Sequence, residues 1–468
     1  MAAFPVDVVV MAAGKGTRMK SVKPKVLHRL GGRALAQHVI DTAAGVSARS
    51  VVVITGHGAQ AVEAGLCAPA GVALRYVRQE PQLGTGHAVQ QALPVLADDG
   101  VVLVLNGDVP LIEVSTLHSL INACGGQHLV LLTVDTGDAS GYGRVVRAKD
   151  QPDAVLAIVE HKDATAEQRT ITEWYSGVLA APAALLKQLL GMLKNDNSQQ
   201  EFYLTDVVKH AVSLGHAVKA ITTRDAVQVA GVNSPVQLAE LERAYQRRVA
   251  EKLMEQGVRL ADPARLDVRG SLLCGTDVEI DVNCVFEGQV VLGDGVRIGP
   301  NCVIANARIE AGATLQAFTH VQGDQAGVTV GPRAEIGPFA RLRPGAVLGA
   351  EVHIGNFVEV KNATLAAGAK ANHLAYLGDA DVGERVNYGA GSITANYDGA
   401  NKHRTVIEAD VHVGSNCVLV APVTIGAGGT VGAGSTISKS TPPGALSVAR
   451  GRQVNITDWC RPAKKKPL

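Results

Sequence analysis

The stretch EIGPFARLRPGAVLGAEVHIGNFVEV, residues 335–360, decides how half of this chain folds. Ile336, Leu342, Leu348, Ile354 and Val360 stand six residues apart, and all are apolar. The same beat runs upstream through Val268, Cys274, Ile280, Phe286, Leu292, Ile298 and Ile304. It runs downstream through Ile407, Val413, Leu419, Ile425, Val431 and Ile437. Gly often follows the apolar residue, as at Gly293, Gly299, Gly337, Gly355, Gly414, Gly426 and Gly432. A small or β-branched residue often stands four after it, as at Val290, Val296, Ala340, Val352, Val358 and Val423. No α-helix has a period of six, and no ordinary strand keeps one this long. A hexapeptide repeat predicts a parallel β-helix, with three hexapeptides to a triangular coil and each stripe residue stacked on its equivalent. Three buried aliphatics per coil do not offset the ordering of the whole coil, so strand hydrogen bonds and coil stacking must contribute too. Many coils are therefore needed, and about nine coils' worth of sequence lies between Val268 and Ser438.

Composition agrees with a large folded chain whose core is aliphatic. Of 468 residues, 47% are hydrophobic but only 3% aromatic. The 51 glycines form no low-complexity tract, and the expectation is that they serve tight corners with positive φ. A net charge of +1 gives no sign of a nucleic-acid partner. The one charge run, in residues 462–468 (PAKKKPL), reads as a solvated tail. The seven cysteines contain no CxxC, and Cys284, Cys302 and Cys417 each fall four after a stripe residue. They read as reduced core thiols, which excludes a disulfide framework or a zinc site and predicts a cytoplasmic protein. Val8–Ala13 runs straight into a Gly/Lys/Arg loop, so it reads as a strand rather than a signal peptide. No apolar run reaches 18 residues, and no membrane contact is expected.

Residues 1 to about 232 follow another pattern. Short β-branched runs at Val6–Met11, Ser50–Thr55, Val101–Leu105 and Leu129–Val134 alternate with helical stretches such as Leu35–Ala44 and His87–Leu96. That predicts a doubly wound α/β domain with ligand at the carboxyl ends of its strands. Residues 233–257 predict a linker dominated by one long helix, Pro235–Gln256, capped by Gly257. Residues 258–468 form the repeat domain. Residues 323–329 and Thr394–Arg404 interrupt its beat, and solenoid insertions project from one face to build binding surface.

The first strand ends in MAAGKGTRM, residues 11–19, followed by Pro24 and Lys25. Such a Gly-rich turn exposes backbone N–H groups to phosphate, and Lys and Arg complete an anion cradle, although a plain βα turn reads alike. It matches neither GxGxxG nor the P-loop. Gln79 and the run LGTGH at 83–87 place a second small-residue turn before a helix. The apolar strand from Val101 ends in NGDVP, residues 106–110. Asp108 at that strand tip suits a Mg²⁺ ligand, or a turn cap. Within the repeats, Arg343 and Lys361 are one coil apart, which stacks two cations on one corner and invites a phosphate. His373 has polar neighbours, and imidazole is the side chain suited to deprotonating an amine near neutrality.

These motifs, with the runs GYGR at 141–144, Val159-Glu160 and Gly231-Val232-Asn233, resemble the sugar-1-phosphate nucleotidyltransferases. Together with the repeats, the chain resembles the bacterial bifunctional N-acetylglucosamine-1-phosphate uridyltransferase / glucosamine-1-phosphate acetyltransferase family over nearly its whole length. The resemblance implies a Rossmann-like nucleotidyltransferase domain followed by a left-handed parallel β-helix, and a homotrimer with acetyltransferase sites between subunits. It implies that Asp108 and Asn233 hold Mg²⁺, and that Arg18 and Lys25 act on the UTP triphosphate. It implies that Met11, Ala12, Ala13, Gly14, Gln79, Gly84, Thr85 and Gly107 bind the nucleotide, and that Gly143 and Glu160 contact the sugar. In the repeats it makes His373 the general base, and gives glucosamine 1-phosphate to Arg343, Lys361, Tyr376 and Asn387. It gives acetyl-CoA to Ala390, Asn396, Tyr397, Ser415, Ala433 and Arg450, with Glu359 orienting the site. The chain departs from the family pattern at Asn106, where Tyr is usual, and at Tyr175-Ser176, where Asn-Thr is usual.

The leading expectation is thus acetylation of glucosamine 1-phosphate followed by uridylyl transfer to the product. The alternative keeps the nucleotidyltransferase and makes the coils an assembly or regulatory domain. A non-enzymatic scaffold is disfavoured by Lys25 and Asp108 standing intact.

Overall fold

A computed structural model describes residues 4–136, 139–148 and 150–462. The lysines of the terminal tail lie outside the described residues. The chain forms two compact units, Met1–Arg248 and Val249–Leu468, divided inside the helix Pro235–Glu255. As the sequence suggests, that helix stops just before Gly257, whose φ is +94°.

The first unit is built on a mixed sheet. Its strand order is Val218–Thr223, Leu129–Asp135, Glu173–Pro182, Val101–Asn106, Val6–Met11, Ser50–Thr55 and Ala73–Arg78. All neighbours are parallel except Glu173–Pro182, which runs antiparallel to both of its partners. Alternate side chains of the central strands serve two cores. Val8, Val10, Val51, Val53, Leu103 and Leu105 pack into one, while Val9, Val52, Ile54, Val102 and Val104 pack into the other. The helix Leu35–Gly45 covers the first core and Ala183–Gly191 the second. The helix expected over His87–Leu96 is shorter. It spans Thr85–Gln90, followed by a 3₁₀ turn at Leu93–Val95, because Pro94 has no N–H to continue the ladder. Met11 lies beside both Ile54 and Asn106, so the turns after three strands open on one edge.

The second unit is a parallel β-helix. Ile336 pairs with Ile354, Leu342 with Val360 and Val330 with Leu348, one pair for each of three faces. Every stripe residue named above is buried except Cys274, which is half-buried in the first coil. The interior row also passes through Ile309, Leu315, Val321, Leu365, Ala371, Leu377, Val382 and Tyr388, where the beat slips by one residue at some corners. Cys284, Cys302 and Cys417 are buried free thiols, as expected.

Two expectations need correction. Thr394 is not loop. It is a buried core residue in the strand Ile393–Ala395, and its hydroxyl bridges the N–H and C=O of Gly378, so the insertion begins at Asn396. Nor do the glycines after the stripe serve positive φ, Gly337 excepted. Their role is close approach. A Cβ on Gly355 would stand 1.9 Å from the carbonyl oxygen of Asn372 one coil on. The left-handed corner position falls two residues later, and there glycine does serve positive φ, as expected, at Gly295, Gly312, Gly345, Gly368, Gly391, Gly428 and Gly434, whereas Asn283, Asn301, Phe318, Phe339, Phe357 and Leu374 fill it elsewhere. Asn tolerates αL, and the stacking of coils imposes it on the rest.

Candidate functional sites

In the first unit, a cavity of about 490 Å³ opens at the strand tips. Met11, Ala12, Ala13, Gly14, Lys25, Gln79, Gly84, Thr85 and Asp108 line it, all of them predicted from sequence. So do Lys15 and Asn106, which lie in the same motifs without an assigned contact, and Gln82 and Glu201, which no motif pointed to. Lys25 Nζ lies 2.5 Å from Asp108 Oδ2 and 3.0 Å from Asn233 Oδ1. Two side-chain oxygens from segments 125 residues apart thus converge on one cation position. Hard oxygen donors of this kind fit Mg²⁺, which takes few protein ligands and completes its shell with water and phosphate. Among the described residues no cluster of three His, Cys, Asp or Glu side chains exists.

The turn geometry is fixed by glycine and by Gln79. Gly84 has φ +111°, and a Cβ there would stand 2.6 Å from the carbonyl oxygen of Phe202. Gln79 is buried and donates Nε2 to Gly84 O at 2.8 Å. Thr85 Oγ1 accepts the N–H of Leu204 at 3.0 Å. Gln82 donates to the carbonyl of Ala13 and ties the two small-residue turns together. Gly107 donates its N–H to Met11 O at 2.9 Å. Arg18 stands exposed in the 3₁₀ turn Thr17–Met19, outside the cavity lining.

Gly143 and Glu160 form a neighbouring cluster. A Cβ on Gly143 would lie 3.8 Å from the Glu160 carboxyl. Burial raises the Glu160 pKa, Thr205 opposes this by donating at 3.1 Å, and Asp163, Asp206 and Glu201 reinforce it. Tyr175 belongs to the same cluster through its N–H, which donates to Gly143 O at 2.9 Å. Its hydroxyl is buried without a partner, and burial with the Glu160 charge pushes its pKa up. Asn106 links the two clusters, its Nδ2 lying 3.4 Å from Ser176 O.

In the second unit one corner carries a column of residues, one per coil. Asn356, His373, Ala390, Ser415 and Ala433 each stand two after the buried residue of their strand. Coil-to-coil bonds lock the column, with Leu374 N donating to Asn356 O, Gly391 N to His373 O and Asn416 N to Ala390 O. His373 Nδ1 lies 2.9 Å from Asn356 Oδ1. Arg450 NH1 donates to Ala433 O at 2.9 Å, which brings two predicted acetyl-CoA contacts together.

Across the adjoining face lie Tyr376 and Glu359, paired in register. Glu359 accepts Arg343 at 2.8 Å and Arg341 at 3.3 Å. Lys361 follows Val360 at the far end of that face. Its pKa is lowered, first by contact with Lys402, then by burial and by the charge of Arg343. Three cations therefore meet where sequence reasoning placed two. Lys402 was missed because only the folded insertion returns it to the coil. There Tyr397 and Lys402 bridge as a short hairpin. Asp398 closes the hairpin, accepting the N–H groups of Ala400 and Asn401 at 2.8 and 2.7 Å and lying 2.7 Å from His403 Nε2. These bonds hold its carboxyl far below the usual range. Asn396 donates to Asp379, and Tyr397 donates to Gly399 O with its ring exposed. Asn387 does not join this face. It is exposed on the strand row of Lys370 and His412, around the His373 corner.

Two family models match the chain. The MobA-like NTP transferase domain covers residues 8–256, and the bacterial transferase hexapeptide (six repeats) covers 273–306 and 404–439. A protein of Polaromonas naphthalenivorans is 71% identical over 99% of both chains. One of Albidiferax ferrireducens is 69% identical over 98% of this chain and 100% of its own. A more distant one, from Azoarcus sp., is 54% identical over 98% of this chain and 100% of its own. All three carry the name "Bifunctional protein GlmU".

Proposed function

The chain belongs to the bifunctional GlmU proteins, and on that premise we propose how its two halves divide successive steps of UDP-N-acetylglucosamine synthesis. Residues 258–468 acetylate glucosamine 1-phosphate from acetyl-CoA. Residues 1–232 then transfer UMP from UTP to N-acetylglucosamine 1-phosphate and release pyrophosphate. The observation that carries the reading is the presence in one chain of two separate polar constellations, one around Lys25 and Asp108 and one around His373 and Lys361.

In the acetyl step the C2 ammonium of the sugar must lose a proton before its nitrogen attacks the thioester carbonyl. Asn356 accepts from His373 Nδ1, which leaves Nε2 as the base. Arg343 and Lys361, joined by Lys402, hold the phosphate. Tyr376 and Asn387 hold the sugar. Ala390, Asn396, Tyr397, Ser415, Ala433 and Arg450 hold acetyl-CoA. The nitrogen–carbonyl bond forms, the carbon–sulfur bond breaks, and CoA leaves as the thiol.

In the uridylyl step the sugar-phosphate oxygen attacks the α-phosphorus in line and pyrophosphate leaves. Positioning and charge neutralisation supply the catalysis. Mg²⁺ held by Asp108 and Asn233 would neutralise phosphate charge when bound. Lys25, released from those oxygens, turns to the triphosphate with Arg18. Gln79, Gly84, Thr85 and the Ala12–Gly14 backbone read the base, while Gly143 and Glu160 face the sugar.

The acetyl site is shared between copies of the chain in a homotrimer. Tyr376 and Asn387 lie on two adjoining faces, which a second copy of the chain would close into one cleft. Phe318, Phe339 and Phe357 are about half exposed yet stacked, with centroids 4.9 and 5.4 Å apart, which leaves an apolar ladder for that contact. No helix among the described residues is long and apolar enough to cross a membrane, and the reduced thiols suit a cytoplasmic enzyme.

The test supplies glucosamine 1-phosphate, acetyl-CoA, UTP and Mg²⁺, and measures free thiol and pyrophosphate. Both products are expected. His373→Ala should abolish thiol release and spare uridylyl transfer to added N-acetylglucosamine 1-phosphate, and Asp108→Asn should do the reverse. Pyrophosphate from the acetylated sugar with no thiol at all would reduce the coils to an assembly domain.

A further inference from the structure

The chain inserts residues 396–404 between two coils, and one carboxylate fastens them. Asp379 occupies a left-handed corner (φ +48°) and is 7% exposed. Its Oδ1 accepts Asn362 Nδ2 at 2.5 Å, from the coil before. Its Oδ2 accepts Asn396 Nδ2, the first residue of the insertion. Its backbone is bonded on both sides as well, with its N–H donating to Lys361 O and its C=O accepting from Thr405 N. The far end of the insertion is held at the same place, where Arg404 pairs with Asp381. Between these anchors the hairpin presents Tyr397 outward and Lys402 to Lys361. Without Asp379, three cations would crowd one corner with no buried carboxylate beside Lys361.

We propose that Asp379 is a positioning residue for acetyl transfer, clamping the 396–404 hairpin so that Lys402 and Tyr397 reach their ligands. Asp379 touches neither substrate. It acts through Asn396, and through its charge on Lys361. The inference rests on the acetyl-transfer reading, but the clamp has a consequence that needs no substrate. An anchored hairpin shields the Lys402 and Arg404 peptide bonds from protease, whereas an unfastened one opens by local unfolding.

The experiment uses the full chain and two variants. In Asp379→Ala, trypsin cleavage after Lys402 or Arg404, mapped by mass spectrometry, should rise roughly tenfold or more, since a charge-assisted bond is lost. KM for glucosamine 1-phosphate should rise by a similar factor with kcat changed less than about threefold. Asp379→Asn keeps the shape. Its Oδ1 still accepts from Asn396, and its Nδ2 meets Asn362 once that amide turns over. This variant should recover most of the protease resistance, which separates the clamp from a folding defect. Uridylyl transfer should be unchanged in both. The clamp is overturned if Asp379→Ala is cleaved as slowly as the unsubstituted chain, or if kcat falls while KM holds. If the unsubstituted chain releases no thiol, the acetyl reading fails, and the cleavage rates still decide the clamp.

Discussion

His373 Nδ1 and Asn356 Oδ1 are 2.9 Å apart and one coil apart on the same corner. The contact has two consequences. It fixes the ring plane, and it assigns the N–H to Nδ1, leaving the lone pair on Nε2. A base held in the wrong tautomer cannot accept a proton, whatever its affinity for one. Asn356→Ala should therefore lower kcat for acetyl transfer by about 10-fold to 100-fold, the usual cost of losing an orienting partner, with KM for both substrates nearly constant. Steady-state thiol release checks this, and an equal rise in KM would point to general disorder instead.

Glu160 is a carboxyl whose burial raises its folded pKa. The sign follows directly. The fold favours the protonated form, so stability is full below the unfolded value of about 4.3 and is lost as pH rises from there through the raised folded value, and the ionised group burdens the unit at neutral pH. Glu160→Gln removes that charge and keeps an acceptor for Thr205. Its melting midpoint should rise at pH 7, by roughly 2–4 °C for each kcal/mol gained, and the gain should shrink toward pH 4. Affinity for the sugar phosphate should fall at the same time. Calorimetry at the two pH values tests the first claim, and KM the second.

The Phe ladder occupies a corner position that earlier coils fill with Asn283 and Asn301, which bond to each other at 3.1 Å. Asn accepts that backbone more readily than Phe does. Phe339→Asn with Phe357→Asn should therefore leave the coils folded by circular dichroism. Sedimentation should show the trimer weakened, and acetyl transfer should fall with it while uridylyl transfer persists. A double variant that stays trimeric would remove the ladder from the interface.

The thiols divide by burial. Cys284 is pushed up to about 11 and Cys302 to about 12, both by desolvation, while Cys67 and Cys460 are exposed. An aromatic disulfide reagent at pH 8 should react quickly with those two exposed thiols and reach the buried ones only on unfolding. Because the unfolded thiols ionise near 8.5, the β-helix should also lose stability between about pH 9 and 11, as the unfolded state sheds protons that the folded state keeps. A melting midpoint flat over that range would contradict the burial.

The six-residue beat was enough to specify the β-helix, because a stripe of that period has no other way to be buried. The alternating apolar runs likewise specified a doubly wound sheet, though not the antiparallel strand Glu173–Pro182 within it. Lys25 and Asp108 each stood out by its own motif, but their meeting across 83 residues came from the fold. Other features were decided by tertiary structure. The role of the glycines that follow the stripe depends on how near the next coil comes, which no single hexapeptide contains. Lys402 reaches Lys361, Asn396 reaches Asp379 and Asn356 reaches His373 only because coil stacking turns separations of 17 to 41 residues into contacts. Periodicity reports which side chains point inward. It is silent on which outward ones meet, because that depends on where the corners slip and where the insertion folds back.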